Sequence, residues 1–194
     1  MKFMWKTLVQ GHIDYCSQLY FPNQSSELES LENLQRTFTK KIPEVQHLDY
    51  WSRLKQLRMY SQQRRADRYK IIYTWKVLEK KVPNCGIQES TSLRRGRECT
   101  IPALKGSPAM QNLRDQSFQV TGPRLFNSLP RHIRDTSKAT VDEFKEKLDK
   151  FLAVLPDEPK IGEMIPHICD QTSAKPSNTL IDVILYQKAK YGEG

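Results

Sequence analysis

The sequence predicts a mainly α-helical fold, an irregular helical bundle of five or six helices with a long basic loop and a mobile C-terminal tail. Three observations support this class. Apolar side chains recur at helical spacing through residues 3–81. Pro and Gly punctuate residues 83–108. Residues 156–194 contain four prolines and no long periodic run, which is typical of a chain without a packed core.

The first two predicted helices lie on either side of Pro22. Apolar residues at helical spacing over residues 3–20 predict a helix that ends at this proline. Ser26 followed by Glu29 is a capping-box pattern for the second helix. Five apolar residues then follow at spacings of three or four: Leu28, Leu31, Leu34, Phe38 and Ile42. They predict one apolar stripe on a helix that ends before Pro43.

Two capping residues predict the next pair of helices, which would meet in a tight corner. Asp49 would cap a short helix that runs through Met59, and Ser61 would cap a longer helix to about Lys81. The short helix would face inward through Trp51, Leu54 and Leu57. The apolar positions of the longer helix are Ala66, Tyr69, Ile72, Tyr73, Trp75 and Leu78.

The helical spacing of apolar residues is less regular in the second half of the chain. Residues 83–121 are predicted to be a basic loop, with short strands at 99–104 and 117–120. Gly122 and Pro123 would start a short helix, with the proline in its first turn. Thr140 and Glu143 form a second capping box, before an apolar stripe of Val141, Phe144, Leu148, Phe151 and Leu152.

These boundaries divide the chain into four regions. Residues 1–82 are a helical bundle and residues 83–121 a basic loop or linker. Residues 122–155 are a terminal helical segment, and residues 156–194 are a mostly disordered tail in which only residues 180–186 could form an element.

The charge of the chain favours a polyanionic partner. Hydrophobic residues make up 38% of the chain, and the formal net charge is +9. Residues 156–194 hold more acidic than basic side chains, so the positive charge lies in the first 155 residues. DNA, RNA or an anionic lipid would suit such a surface, and simple solubility is the alternative.

The longer helix carries the first basic patch. Arg64, Arg65 and Arg68 lie at helical spacing, and Arg58 extends the patch from the preceding helix. Guanidinium groups bind phosphate in a planar, bidentate way. The neighbouring Tyr69, Tyr73 and Trp75 could stack on bases, although aromatic residues at these spacings are more often core. A basic face that only contacts solvent is the alternative for the arginines.

Arg94, Arg95 and Arg97 form a second basic patch in the loop. A short arginine cluster beside a glycine can bind RNA or a duplex backbone. It equally fits a nuclear-import signal or a solvated loop.

No pattern in the sequence indicates catalysis, a metal or a cofactor. His12 and Cys16 lie four residues apart, and His167 and Cys169 lie two apart, but neither pair has the clustering of a zinc site. The sequence contains no nucleophile elbow, phosphate-binding glycine loop or zinc-protease motif. Carboxylates such as Asp14 are predicted to be helix-surface charges, as is Asp149.

The expected environment is intracellular, either nuclear or cytoplasmic. The four cysteines are scattered, which favours free thiols in a reducing compartment. No signal peptide is predicted, and no run of 18 or more apolar residues predicts a membrane span.

Four segments, in order, resemble the closing part of non-LTR (LINE-type, jockey-like) retrotransposon reverse transcriptases. The most specific covers residues 122–130 (GPRLFNSLP) with the following FK and LDK at 144–145 and 148–150. Residues 12–20 resemble the family's helix after the polymerase, and residues 31–40 its next helix. Tyr50, Arg53, Leu54, Leu57, Arg64 and Arg65 resemble the pair that follows. Many relatives have Trp at Tyr20 and Phe126.

The resemblance implies the thumb and post-thumb part of an RNA-directed DNA polymerase, without its chemistry. The family's catalytic palm carries an Asp-Asp pair, which this sequence lacks. The implied role is to hold an RNA–DNA hybrid or a duplex by its backbone. A missing polymerase core would be a second partner, and no enzymatic activity is expected. Two alternatives remain: a protein-interaction fragment without a nucleic-acid role, and a non-functional transposon relic.

Overall fold

The computed structural model describes residues 2–17, 25–92, 96–103, 106–157 and 180–191. The fold is mainly helical, which confirms the predicted class. No helix in these described ranges is long and apolar enough to span a membrane.

An N-terminal helix opens the chain and docks on the helix that follows. It comprises α1 (Lys2–Met4), a π-helical segment (Trp5–Gln10) and α2 (Gly11–Asp14). The ring of Trp5 lies 4.9 Å, between centroids, from that of Phe38 on α3 (Ser25–Lys40). The prediction of one helix over residues 3–20 is wrong at its end, because α2 ends at Asp14, Tyr15 is its C-cap and Cys16 has φ of 51°. Pro22 lies outside the described residues.

Helix α3 ends before Pro43, as predicted, but its buried face is largely polar. Leu34 is 56% exposed, whereas Gln35 and Thr39 are fully buried. These polar side chains have partners, since Gln35 Nε2 donates a 3.0 Å hydrogen bond to the carbonyl of Tyr60. The predicted apolar stripe is therefore wrong at Leu34. The helix also begins before Ser26, so this serine does not hold the predicted cap position.

Both predicted caps of the helical corner are confirmed. The Asp49 side chain accepts hydrogen bonds from two backbone N–H groups at the start of α4 (Tyr50–Leu57). Ser61 accepts one from the N–H of Arg64 at the start of α5 (Gln62–Leu78). Because caps satisfy donors within the same turn, they can be predicted from a few adjacent residues.

Helices α3, α4 and α5 meet at a buried glutamate. Glu32 accepts hydrogen bonds from the Tyr50 hydroxyl and, at 2.9 Å, from the backbone N–H of Gln62. Burial raises the pKa of Glu32, and these two hydrogen bonds partly oppose that shift. The three helices are thus held together by buried polar contacts, which is consistent with the modest apolar content of the chain.

The predicted loop at residues 83–121 is wrong over most of its length. It contains an antiparallel hairpin of β1 (Gln88–Ser92) and β2 (Gly96–Thr100), then α6 (Pro108–Gln116). The predicted strand at 117–120 is also wrong, because α7 (Phe118–Ser128) begins there. Strand β1 reads QESTS, which has no apolar residue to indicate a strand, so the hairpin could not be found from hydrophobic alternation.

Gly122 and Pro123 lie inside α7 and do not start it, so the prediction of a helix start there is wrong. A Cβ atom on Gly122 would lie 2.6 Å from Thr74 Oγ1 and 2.8 Å from the ring of Phe118. The glycine is therefore what lets α7 pack closely against α5.

Asn127 joins α7 to the hairpin. Its side-chain oxygen accepts from the backbone N–H of Cys99, and its amide donates to the carbonyl of Cys99, both at 2.8 Å. Burial raises the pKa of the Cys99 thiol to about 12.

The apolar core lies between α5, α7 and α9 (Val141–Val154), with the short α8 (Arg131–Arg134) between the last two. The rings of Trp75 and Phe144 stack with centroids 4.5 Å apart and an interplanar angle of 6°. The capping box of Thr140 and Glu143 at the start of α9 is confirmed.

The C-terminal region contributes to this core. Helix α10 (Leu180–Tyr191) contacts α7. Leu180 and Ile184 are 2% and 1% exposed. The sequence allowed an element at residues 180–186; α10 occupies that segment and continues to Tyr191, so the predicted mostly disordered tail is wrong for residues 187–191. Residues 158–179 lie outside the described residues.

Candidate nucleic-acid interface

A basic cleft lies where the N-terminal helix, the α4–α5 corner and α9 meet. Its volume is about 270 Å³. Residues from all three places line it: Trp5, Lys6, Gln10, Arg58, Met59, Tyr60, Arg65, Arg68 and Asp149. Four of these side chains are cationic and one is anionic, so the cleft is a concave, positively charged surface.

The π-helical segment supplies the first wall. In a π-helix the backbone bonds join residues five apart, and these residues therefore lie nearly above one another. Trp5 and Gln10 are such a pair, and the indole Nε1 donates a 2.7 Å hydrogen bond to the Gln10 side chain. Both side chains are buried, which leaves the exposed Lys6 at the cleft.

The corner after α4 supplies the second wall. Arg58 ends α4 in the left-handed backbone region, with φ of 49°. Its N–H donates to the carbonyls of Leu54 and Lys55, which closes the helix. The Lys2 ammonium donates to the carbonyl of Leu57, so the N-terminal helix is tied to this corner.

Two of the predicted arginines line the cleft but are paired with carboxylates. Arg65 binds Asp14 through Nε at 2.8 Å and Nη2 at 2.5 Å. Arg68 binds Asp149 through Nε at 2.5 Å and Nη2 at 2.7 Å. Burial lowers the pKa of each arginine, but the hydrogen bonds to Asp14 and Asp149 outweigh burial and raise it. The prediction that Asp14 and Asp149 are plain surface charges is wrong.

Lys6 and Arg58 have no carboxylate within ion-pair distance among the residues that the structure describes. Burial lowers the pKa of the nearby Lys2, and the charges of Lys6 and Arg58 lower it further. The three cations therefore repel one another, and an anion in the cleft would relieve that repulsion.

Arg64 does not reach the cleft. It is 3% exposed, and its guanidinium donates to the carbonyls of Leu152 at 3.4 Å and Pro156 at 2.5 Å. Asp157 lies 3.6 Å from its Nε. The predicted common phosphate-facing surface of Arg64 and Arg68 does not form, because Arg64 ties α5 to the end of α9.

Of the second predicted basic patch, Arg94, Arg95 and Arg97, the structure describes only Arg97. Arg97 is 9% exposed and binds Glu79 and Glu89, each at 2.6 Å. It therefore joins the hairpin to the end of α5. Arg94 and Arg95 lie outside the described residues.

The aromatic residues of α5 are buried or contact other side chains of the protein. Trp75 is fully buried, and Tyr73 packs edge-on against Phe118 with centroids 5.3 Å apart. The guanidinium groups of Arg65 and Arg68 lie 5.6 and 5.8 Å from the ring centroid of Tyr69. These contacts favour the core interpretation over base stacking.

No three His, Cys, Asp or Glu side chains in the described ranges lie close enough together to hold a metal ion. The pair of His167 and Cys169 lies outside those ranges.

Lys6 lines the cleft but was not among the residues predicted from the sequence. Lys6 lies between the apolar pairs Met4-Trp5 and Leu8-Val9, and the π-helical segment and the distant corner bring it to the same cleft as Arg58. A basic residue between these apolar pairs was the available signal. Comparison with protein-family models, curated proteins and solved structures found no match.

Proposed function

We propose that this chain is a non-catalytic nucleic-acid-binding segment, related to the closing part of a non-LTR retrotransposon reverse transcriptase. The cleft contacts the phosphate backbone of an RNA–DNA hybrid or duplex without reading its sequence. The observation that carries this proposal is the convergence of Lys6 and Arg58, which lack carboxylate partners in the described part of the chain. The motif at residues 122–130 supports the ancestry.

The positions of the basic side chains change which residues we propose as phosphate contacts. Lys6 and Arg58 are the primary phosphate ligands, and Arg65 and Arg68 contribute the positive edges of their ion pairs. Arg64 and Arg97 act as structural residues because their guanidinium groups are committed to internal acceptors. Arg94 and Arg95 stay a prediction.

The test removes the two cations that have no carboxylate partner. A labelled RNA–DNA hybrid is titrated with the chain by fluorescence anisotropy at two salt concentrations. Lys6→Ala combined with Arg58→Gly is expected to weaken binding at low salt and to reduce the salt slope by roughly two. Glycine is chosen at Arg58 because it adopts the left-handed backbone without strain.

The matched control is Lys40→Ala combined with Lys41→Ala, which removes two exposed charges outside the cleft. The control is expected to bind almost as the parent does. Equal weakening in both double variants would mean that only net charge matters, and the cleft would lose its assigned role. A primer-extension assay with Mg²⁺ is expected to give no product, and extension would overturn the non-catalytic assignment.

A protein-interaction role is the second candidate, and the N-terminal helix favours it. Four large apolar side chains there are more than half exposed: Phe3, Met4, Leu8 and Tyr15. Apolar residues concentrated on one surface helix are typical of a contact with another protein. Light scattering distinguishes the candidates, since an unsatisfied apolar face predicts self-association that Phe3→Ser with Leu8→Ser abolishes.

A further inference from the structure

The cleft is a single concave pocket, and its surroundings do not extend it into a track. A groove that follows a duplex needs a row of cations, because duplex DNA carries one charge per roughly 1.7 Å of axis. On α5, the charges that would continue the row are neutralised by Asp14, Asp149 and Asp157. Lys6 and Arg58 instead line the same pocket from two different elements.

A pocket that is lined by two cations suits a dianion better than a monoanion. A phosphate monoester carries about −1.5 to −2 charges and offers three acceptor oxygens, whereas an internal phosphodiester carries a single charge. Lys6 and Arg58 supply the matching positive charge, and Lys2 lies close enough for its ammonium to be affected by both. Ammonium and guanidinium groups together can donate to all three oxygens.

Access to the cleft also favours a chain end. A terminal phosphate is tethered on one side only, so it can enter a pocket of about 270 Å³ without bringing a second nucleotide with it. An internal phosphodiester would need room for the strand on both sides. The volume is just below the range of roughly 300–1,000 Å³ typical of small-molecule pockets.

The backbone at Arg58 provides a separate observation. An arginine there adopts φ of 49°, a conformation that glycine reaches at lower cost. Its side chain makes no ion pair within the described ranges and lines the cleft. Strained residues at a cleft are often kept for a ligand that their side chains bind.

We propose that the cleft takes the terminal phosphate monoester of a nucleic-acid strand in preference to internal phosphodiester groups. This inference rests on the proposed nucleic-acid function and specifies the group that the cleft binds.

The experiment compares two labelled single strands of identical sequence, one with a 5′-phosphate and one with a 5′-hydroxyl. The phosphorylated strand is expected to bind about tenfold more tightly, as additional charge-assisted hydrogen bonds would give. Inorganic phosphate is expected to compete with the phosphorylated strand and to reduce the difference. Lys6→Ala alone and with Arg58→Gly should abolish the preference, while Lys40→Ala with Lys41→Ala should keep it.

The outcomes separate the inference from the function on which it rests. Equal binding of both strands would overturn the inference and leave backbone binding intact. No binding of either strand at low salt, by a sample whose circular dichroism shows a folded helical protein, would overturn both. A preference that survives in Lys6→Ala with Arg58→Gly would overturn the assignment to this cleft.

Discussion

At the scale of single residues, the arginines of α5 differ in role although they are neighbours in sequence. The guanidinium of Arg64 donates to backbone carbonyls inside the protein, and Arg65 and Arg68 each form an ion pair. Arg58, just before α5, has no carboxylate within ion-pair distance in the described part of the chain. Helical spacing placed these residues on related faces, but their partners come from segments at least 50 residues away. Spacing within a helix cannot reveal such partners.

Asp67 gives a prediction of its own. It is buried on α5, where Gln63 Nε2 donates to it at 3.0 Å and where Lys70, Arg64 and Asp157 are the charges near it. Burial dominates and raises the pKa of Asp67 to about 6. The folded chain therefore binds this proton more tightly than the unfolded chain does. The resulting stability is present below about pH 4 and is lost as the pH rises through 6.

Asp67→Asn should make the chain more stable at pH 7.5, by up to about 3 kcal/mol, and should have little effect at pH 4. Thermal unfolding of parent and variant at both pH values measures this difference. Asp142→Asn is the control, since Asp142 is 90% exposed. A variant-minus-parent difference that does not change with pH would show that Asp67 does not titrate as described.

At the scale of elements, the crossing of α5 and α7 depends on Gly122. Gly122→Ala should lower the free energy of unfolding by about 1–3 kcal/mol, because the new methyl group would overlap Thr74 Oγ1 and the ring of Phe118. Gly11→Ala is the matched control on α2, where a Cβ meets nothing within 4 Å. The control should be stabilising by up to about 1 kcal/mol, as glycine replacement in a helix usually is. Chemical denaturation compares the two, and changes of the same sign would contradict the packing described here.

Local signals in the sequence predicted some elements well and others poorly. The caps at Asp49, Ser61 and Thr140 were predicted because their donors lie within the same turn. The hairpin was missed because its stability comes from Arg97 and Asn127, whose partners lie on other elements. The polar face of α3 was missed for a similar reason: Gln35 can be buried only because Tyr60 and Gln62 accompany it.

The residues of the candidate site were likewise predicted where local signals sufficed and missed where distant contacts matter. Arg58, Arg65 and Arg68 were found from composition and spacing, and all three line the cleft. Lys6 was missed, because its place at the cleft depends on a π-helical turn and on a corner more than 50 residues away.

Helix α10 provides the second test at this scale. Ile184→Ala should lower the free energy of unfolding by about 2–4 kcal/mol, since the side chain is 1% exposed in the core. Val154→Ala, at a position 78% exposed, should change it little. An unchanged stability in Ile184→Ala, measured by the same denaturation, would return the C-terminal region to the unpacked tail that the sequence suggested.

At the scale of the whole molecule, the net charge of +9 already subtracts every carboxylate, but it does not say where the unpaired cations lie. Much of the positive charge of α5 and the hairpin is compensated inside the protein by Asp14, Asp149, Glu79 and Glu89. Other cations, such as Lys40, Lys41 and Lys55, are exposed elsewhere on the surface, whereas Lys6 and Arg58 line one cleft. Each of these two should therefore matter more to binding of a polyanion than a scattered lysine does.

The ties made by Arg64 and Arg68 also set an order of events during synthesis. The hydrogen bonds of Arg68 can form only after Asp149, 81 residues later, has been synthesised. Those of Arg64 need the carbonyl of Pro156, 92 residues later. While the ribosome is still making the intervening hairpin and α7, both guanidinium groups must stay hydrated, so α5 cannot settle in its final packing. These two contacts, and the part of the cleft that Asp149 lines, can therefore form only after the end of α9 has left the ribosome.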